Sequence, residues 1–145
     1  MRANRSTGRS AVYTLSLLAE ACGKERQTEK GLELVAEGLA VGRNIREPEL
    51  LRLKGELLIQ SGGQGPESRV LKEAEECFCR AIGIAKNQGV KSFEMRAVMS
   101  LSRLWQQQGK TEEARKMLAD IYDWFTEGFD TADLKEAKAL LEELS

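Results

Sequence analysis

The stretch from Ser92 to Tyr122 constrains the fold more than any other. Apolar residues recur at helical spacing in its first half (Val98, Leu101, Leu104, Trp105) and again in its second (Ala114, Met117, Leu118, Ile121). A short polar run separates the halves. Gly109 reads there as a helix stop and Thr111 as the N-cap of the next helix, with Glu112 and Glu113 at that helix's positive end. Two amphipathic helices joined by about three residues fold back on each other as an antiparallel hairpin.

The same pattern occurs twice earlier. Spacing predicts hairpins over about 9–41, 48–87 and 92–125, a closing helix over about 131–144, and a disordered basic tail over 1–8. In the first hairpin the inward stripe reads Val12, Leu15, Leu18, Ala19 and Cys22, with Gly23 as stop and Thr28 as the next N-cap. Leu32, Val35, Ala36, Leu39 and Ala40 continue it, and Gly31 and Gly38 suit a close approach by another backbone. Pro48 fits the start of the third helix, where a missing N–H costs nothing. The fourth turns Leu71, Ala74, Phe78, Ala81, Ile82 and Ala85 inward and stops at Gly89, after which Ser92 reads as a cap. In the closing helix Leu134, Ala137, Leu140, Leu141 and Leu144 form one stripe, while Glu136, Lys138, Glu142 and Glu143 face water. Trp105 reads as core, and Trp124 and Phe125 as residues that pin the closing helix.

Composition removes whole classes of function. The 145 residues include no histidine, which takes away the commonest general base and the commonest zinc ligand together. A net charge of -1 gives no global field for nucleic acid or an anionic membrane. Arg2, Arg5 and Arg9 before the apolar run from Ala11 resemble a secretion signal, but Glu20 interrupts the run and its period is amphipathic, so a first repeat helix is expected instead. The glycines of 61–68 lack the Gly-Lys-Ser/Thr ending and the preceding strand of a phosphate loop. Cys22, Cys77 and Cys79 are an odd set in a helical chain, read as reduced, buried small hydrophobes in a cytoplasmic protein. Cys77 and Cys79, two apart on a helix, cannot chelate one ion together. Glu73, Glu75, Glu76, Glu112 and Glu113 supply carboxylates, yet no nucleophile, base and orienting group converge. The expectation is no enzyme, no metal and no cofactor.

Small residues mark where the helices of each hairpin cross. Ala19, Gly55 and Ser102 stand at matching places in the first helices, and Gly31, Ala74 and Ala114 in the second. A larger residue follows each of the latter by four: Val35, Phe78 and Leu118. Ala19 precedes Gly31, and Ser102 precedes Ala114, by the same twelve positions. This resembles the tetratricopeptide repeat, a helix–turn–helix unit of about 34 residues with small residues at the crossings. The phrases KSFEMRAVMSLSRLW and IYDWFTEGFDTADL are similar to the C-terminal repeat region of large bacterial proteins that carry an adenylate/guanylate-cyclase-like or DNA-binding transcriptional-regulator domain and an ATPase module. No hairpin has the family's tryptophan near the start of its first helix, and Lys54 stands at an apolar position.

The resemblance implies an all-α fold: a right-handed α-α superhelix of about three hairpins with a capping helix. It also implies a non-catalytic docking function within a larger bacterial signalling protein. In such superhelices the first helix of each repeat lines the concave face. That assigns Tyr13, Ser16, Glu20, Arg52, Glu56, Arg96, Met99, Arg103 and Gln106 to partner binding, with Arg96 and Arg103 making the later part basic and favouring a peptide with acidic groups. The competing expectation is a sensor region that binds a small molecule and controls an attached cyclase or ATPase. The uncapped first hairpin predicts self-association or a missing upstream repeat; neither nucleic acid nor membrane is expected as a partner.

Overall fold

A computed structural model describes residues 5–62 and 69–145, with side chains from residue 11 onward. Seven helices span the described residues: α1 (Arg5–Lys24), α2 (Thr28–Ala40), α3 (Glu47–Gln60), α4 (Arg69–Gln88), α5 (Lys91–Gln107), α6 (Thr111–Tyr122) and α7 (Ala132–Leu144). No strand occurs among them. Each helix packs on the next, and each odd helix also packs on the next odd one: α1 on α3, α3 on α5, α5 on α7. Among the described residues α1 touches nothing beyond α3, so the stack is open and its two ends do not meet.

The core is divided accordingly. Val12, Ala19, Val35, Leu50, Leu53 and Leu57 join α1, α2 and α3. Ala74, Phe78, Leu101 and Leu104 join α4 to α5. Met95, Val98, Leu118, Ile121, Leu134, Ala137 and Leu140 join α5, α6 and α7. Small residues sit at the crossings for a steric reason. A Cβ placed on Gly55 would lie 2.4 Å from the ring of Phe78, so the fully buried Phe78 fills the space that Gly55 leaves open. Gly31 and Gly38 likewise receive Leu57 and Leu50, each with an atom 3.0 Å from where a Cβ would be.

The turns differ from the expected capping. Thr28, Ser92 and Thr111 were placed as N-caps by their spacing; the caps are Gln27, Val90 and Lys110, none with a side-chain hydrogen bond. Each cap residue also closes the helix before it: Gln27 N–H donates to Cys22 O (2.8 Å), Val90 to Ala85 O (3.1 Å) and Lys110 to Trp105 O (2.8 Å). The turn is so tight that one residue ends one helix and begins the next, and turn geometry outranks side-chain preference. The residue before each cap is left-handed: Gly89 (φ 74°), Gly109 (φ 82°) and, in the first hairpin, Arg26 (φ 62°). Gly23, expected to stop α1, lies inside it, a Cβ's distance of 3.4 Å from Leu57. Among the described residues only Thr131 caps through its side chain, accepting from Leu134 N–H.

Burial corrects several other expectations. α1 begins by Arg5, so 5–8, expected in the basic tail over 1–8, are helical; residues 1–4, and Ser68, whose place before the fourth helix suits an N-cap, lie outside the described residues. Leu18 is 48% exposed, because the buried row of α1 runs through Val12, Ser16, Ala19 and Cys22. Ala36 and Ala40 are exposed, and the approach to α3 uses Gly31, Val35 and Gly38 instead. Cys79 is exposed, since two steps along α4 carry it off the face that buries Cys77. α6 ends at Tyr122, short of Phe125. Trp105 is half-buried. Phe125 packs on the terminal cluster, but Trp124 is 58% exposed, stacked edge-on against Phe125 and beneath the Lys91 ammonium (5.5 Å).

Candidate functional site

A groove of about 630 Å³ runs along the odd helices α1, α3, α5 and α7. Parallel stacking of these helices places residues one turn apart on each in rows across it. Ser16, Glu20, Arg52, Glu56, Arg96, Met99 and Arg103, seven of the nine residues assigned to the concave face, line this groove. Tyr13 and Gln106 do not. Tyr13 is half exposed at the rim, its ring 4.5 Å under the Arg46 guanidinium, and Gln106 lies in the last turn of α5, beyond the groove.

The floor is organised by a residue whose role the sequence did not reveal. Glu49 is 3% exposed and accepts from Arg52 Nε (2.9 Å) and Nη2 (3.3 Å) on its own helix and from Arg96 Nη1 (2.7 Å) on α5. Arg96 Nε then donates to Asp133 Oδ2 on α7 (2.8 Å). The result is a row of alternating charge, Arg52–Glu49–Arg96–Asp133, that crosses three helices. Burial opposes the charge on Glu49, but hydrogen bonds and attraction from Arg52, then from Arg96, outweigh it and hold the carboxyl below its ordinary value of 4.5. Burial likewise opposes charge on Arg52 and Arg96, and the bonds to Glu49 reverse it, so both guanidinia are held above their ordinary value. In sequence Glu49 reads as one more acidic residue in a first helical turn. The Glu49–Arg52 spacing of one turn was the available signal, and it does not encode burial.

The expectation that Arg96 and Arg103 make the later groove basic is corrected by α7. Asp133 pairs with Arg96, and Glu136 reaches Arg103 at 3.8 Å. The lining carries five basic and five acidic side chains. The Arg103–Glu136 pair is long, and both partners are substantially exposed (46% and 61%), so it exchanges readily. Ser100, between Arg96 and Arg103, is buried beneath the groove, its hydroxyl without a hydrogen-bond partner among the described residues. At the far end Gln60 joins three elements, accepting from the Thr28 hydroxyl (2.5 Å) and donating to Gly23 O (2.9 Å).

The carboxylates weighed for catalysis lie elsewhere: Glu73, Glu76, Glu112 and Glu113 are exposed, and Glu112 is paired with Arg115. Among the described residues no cluster of His, Cys, Asp or Glu could hold a metal ion, and no helix is long and apolar enough to cross a membrane. No protein-family model matches the chain, and no curated protein matches it.

Proposed function

We propose that the chain is a non-catalytic docking module of the tetratricopeptide-repeat kind: a right-handed superhelix of three hairpins and a capping helix whose groove receives a peptide or a segment of a partner protein. The odd-on-odd packing, the open ends and the Gly55–Phe78 crossing support the repeat reading. By the same resemblance the module belongs to a larger bacterial signalling or regulatory protein in the cytoplasm, a setting compatible with its free cysteines.

The observation that carries the binding reading is the groove along the odd helices, whose α5 wall presents the exchangeable Arg103. A guanidinium loosely held by an exposed carboxylate can trade that partner for another. Arg103 therefore suits a peptide that brings a carboxylate to the α5 wall. A random-peptide display library panned on the protein tests this. Enriched peptides are expected to be acidic and to lose about tenfold in affinity, by fluorescence anisotropy, on Arg103→Glu but not on Lys138→Glu at the outside of α7. Peptides whose binding ignores Arg103, or no enrichment at all, would remove the reading.

A further inference from the structure

Seven large apolar side chains are strongly exposed among the described residues, and five belong to the first hairpin and the loop leaving it: Tyr13, Leu17, Leu18, Val41 and Ile45. On α1 the outward residues Thr14, Leu17, Leu18 and Ala21 follow the i, i+3, i+4, i+7 spacing of a packing stripe. The helix therefore carries two apolar faces, one buried through Val12, Ala19 and Cys22, the other bare. No charged residue occurs from Ser10 to Ala19. A helix apolar on both sides is ordinarily covered on both.

The repeat register says what these positions do elsewhere in the molecule. Stepping from Ala19 to Ser102 carries the bare stripe onto Ala97, Ser100, Leu101 and Leu104 of α5, all buried. Of these, Ala97, Leu101 and Leu104 pack on α3 and α4. Stepping from Ala19 to Gly55 carries it onto Leu50, Leu53, Lys54 and Leu57 of α3; the three leucines are buried against α1 and α2, and Lys54, at the place of Leu18, is partly buried. Thus α1 presents, uncovered, the surface by which α3 and α5 seat on the hairpin before them.

We propose that a second copy of this chain covers that surface, α1 against α1, antiparallel about a two-fold axis between Leu17 and Leu18. Two observations select this occupant. The stripe is palindromic in size: small Thr14, large Leu17, large Leu18, small Ala21, so an antiparallel pair sets Leu17 against Leu18 of the other copy and Thr14 against Ala21. The outward face of α7, the surface a head-to-tail stack would use, carries exposed Lys135, Lys138, Glu142 and Glu143, whose charges would be buried without partners. An uncharged self-complementary face meets neither obstacle. The pairing is independent of the peptide reading, although Leu17 also forms part of the groove rim.

Sedimentation equilibrium across a wide concentration range tests the pairing. The chain is expected to form a reversible dimer, with no larger species. Leu17→Lys and Leu18→Glu, each placed at a half-exposed position, are expected to raise the dissociation constant by about a hundredfold. Far-ultraviolet dichroism should stay unchanged, as should the melting temperature measured at concentrations where the native chain is monomeric. An equimolar mixture of the two variants is expected to regain the dimer, because the antiparallel register sets the introduced ammonium against the introduced carboxylate and leaves the other Leu17–Leu18 contact intact. A chain that stays monomeric into the submillimolar range overturns the proposal and leaves the stripe to a foreign helical partner. A dimer indifferent to both substitutions, or a mixture that stays monomeric, overturns it as well.

Discussion

The first and third hairpins use one pattern in two environments. Ala19 and Ser102 are both fully buried at their crossings, Thr28 and Thr111 both open a second helix, and Val35 and Leu118 both fill the space beneath. Leu18 and Leu101 are equivalent by the same register, yet one is 48% exposed and the other 2%. Their helices do not differ in periodicity. They differ in having a packed neighbour on one side or on both, the second hairpin before and α7 after in the case of the third. In an open stack, burial of a given position is decided by the neighbour and not by the element that carries the residue.

The largest effect expected from this contrast comes from truncating the matched leucines. Leu101→Ala should cost about 2–5 kcal/mol, since it empties a fully packed site between α4 and α5. Leu18→Ala should stay within about 0.5 kcal/mol in the monomer, as an exposed substitution. Chemical denaturation of both variants checks it; equal losses would mean that the end hairpin is covered.

A smaller effect separates the hairpins electrostatically. The charged row through Glu49 ties the second hairpin to the third and to α7, and among the described residues no comparable row reaches α1. Glu49→Gln should destabilise by about 1–3 kcal/mol at neutral pH, the lower part of the range reflecting the partial exposure of Arg96. The sign with pH follows from a folded value below 4.5. The contribution of Glu49 is complete above 4.5 and fades as acid carries the solution through the lower folded value. The stability difference between the native protein and Glu49→Gln, followed by urea titration from neutrality into acid, should therefore shrink below 4.5. A difference that stays constant would show that Glu49 is not held by its arginines.

The smallest expected effect lies in the turns. Arg26 occupies, with φ 62°, the place that Gly109 fills with φ 82°. Left-handed backbone strains a side chain and suits glycine. Arg26→Gly should stabilise by about 0.5–1 kcal/mol, and Gly109→Ala should destabilise by about 1 kcal/mol. Thermal melts of the two variants would move in opposite directions; movement in the same direction would break the equivalence of the turns.

These contrasts mark what the sequence could carry. Helix number, pairing and the small crossing residues were legible because each depends on local periodicity and size: Gly55 beside Phe78 is written into the spacing. Seven of the nine residues assigned to the concave face line the groove; their place followed from the phase of the odd helices, which is also local. Glu49 did not, because its burial results from α5 and α7 closing over α3, a relation between segments far apart in the chain. The caps at Gln27, Val90 and Lys110 did not either, since a residue shared by two helices obeys the tighter of its two roles. An apolar residue at helical spacing looks the same whether its neighbour is present or absent, so spacing alone turns Leu18 inward.

A core partitioned among hairpins also lets the molecule open piecemeal. The outer pairs, secured on one flank, are expected to exchange their amide hydrogens sooner than α3, α4 and α5. Departure of α7 would take Asp133 and Glu136 with it, bare the Arg103 guanidinium and leave Arg96 held by Glu49 alone on the α5 wall. Fraying at the C-terminal end would thereby tune how strongly the far wall of the trough attracts an anion, without any rearrangement of the central pairs.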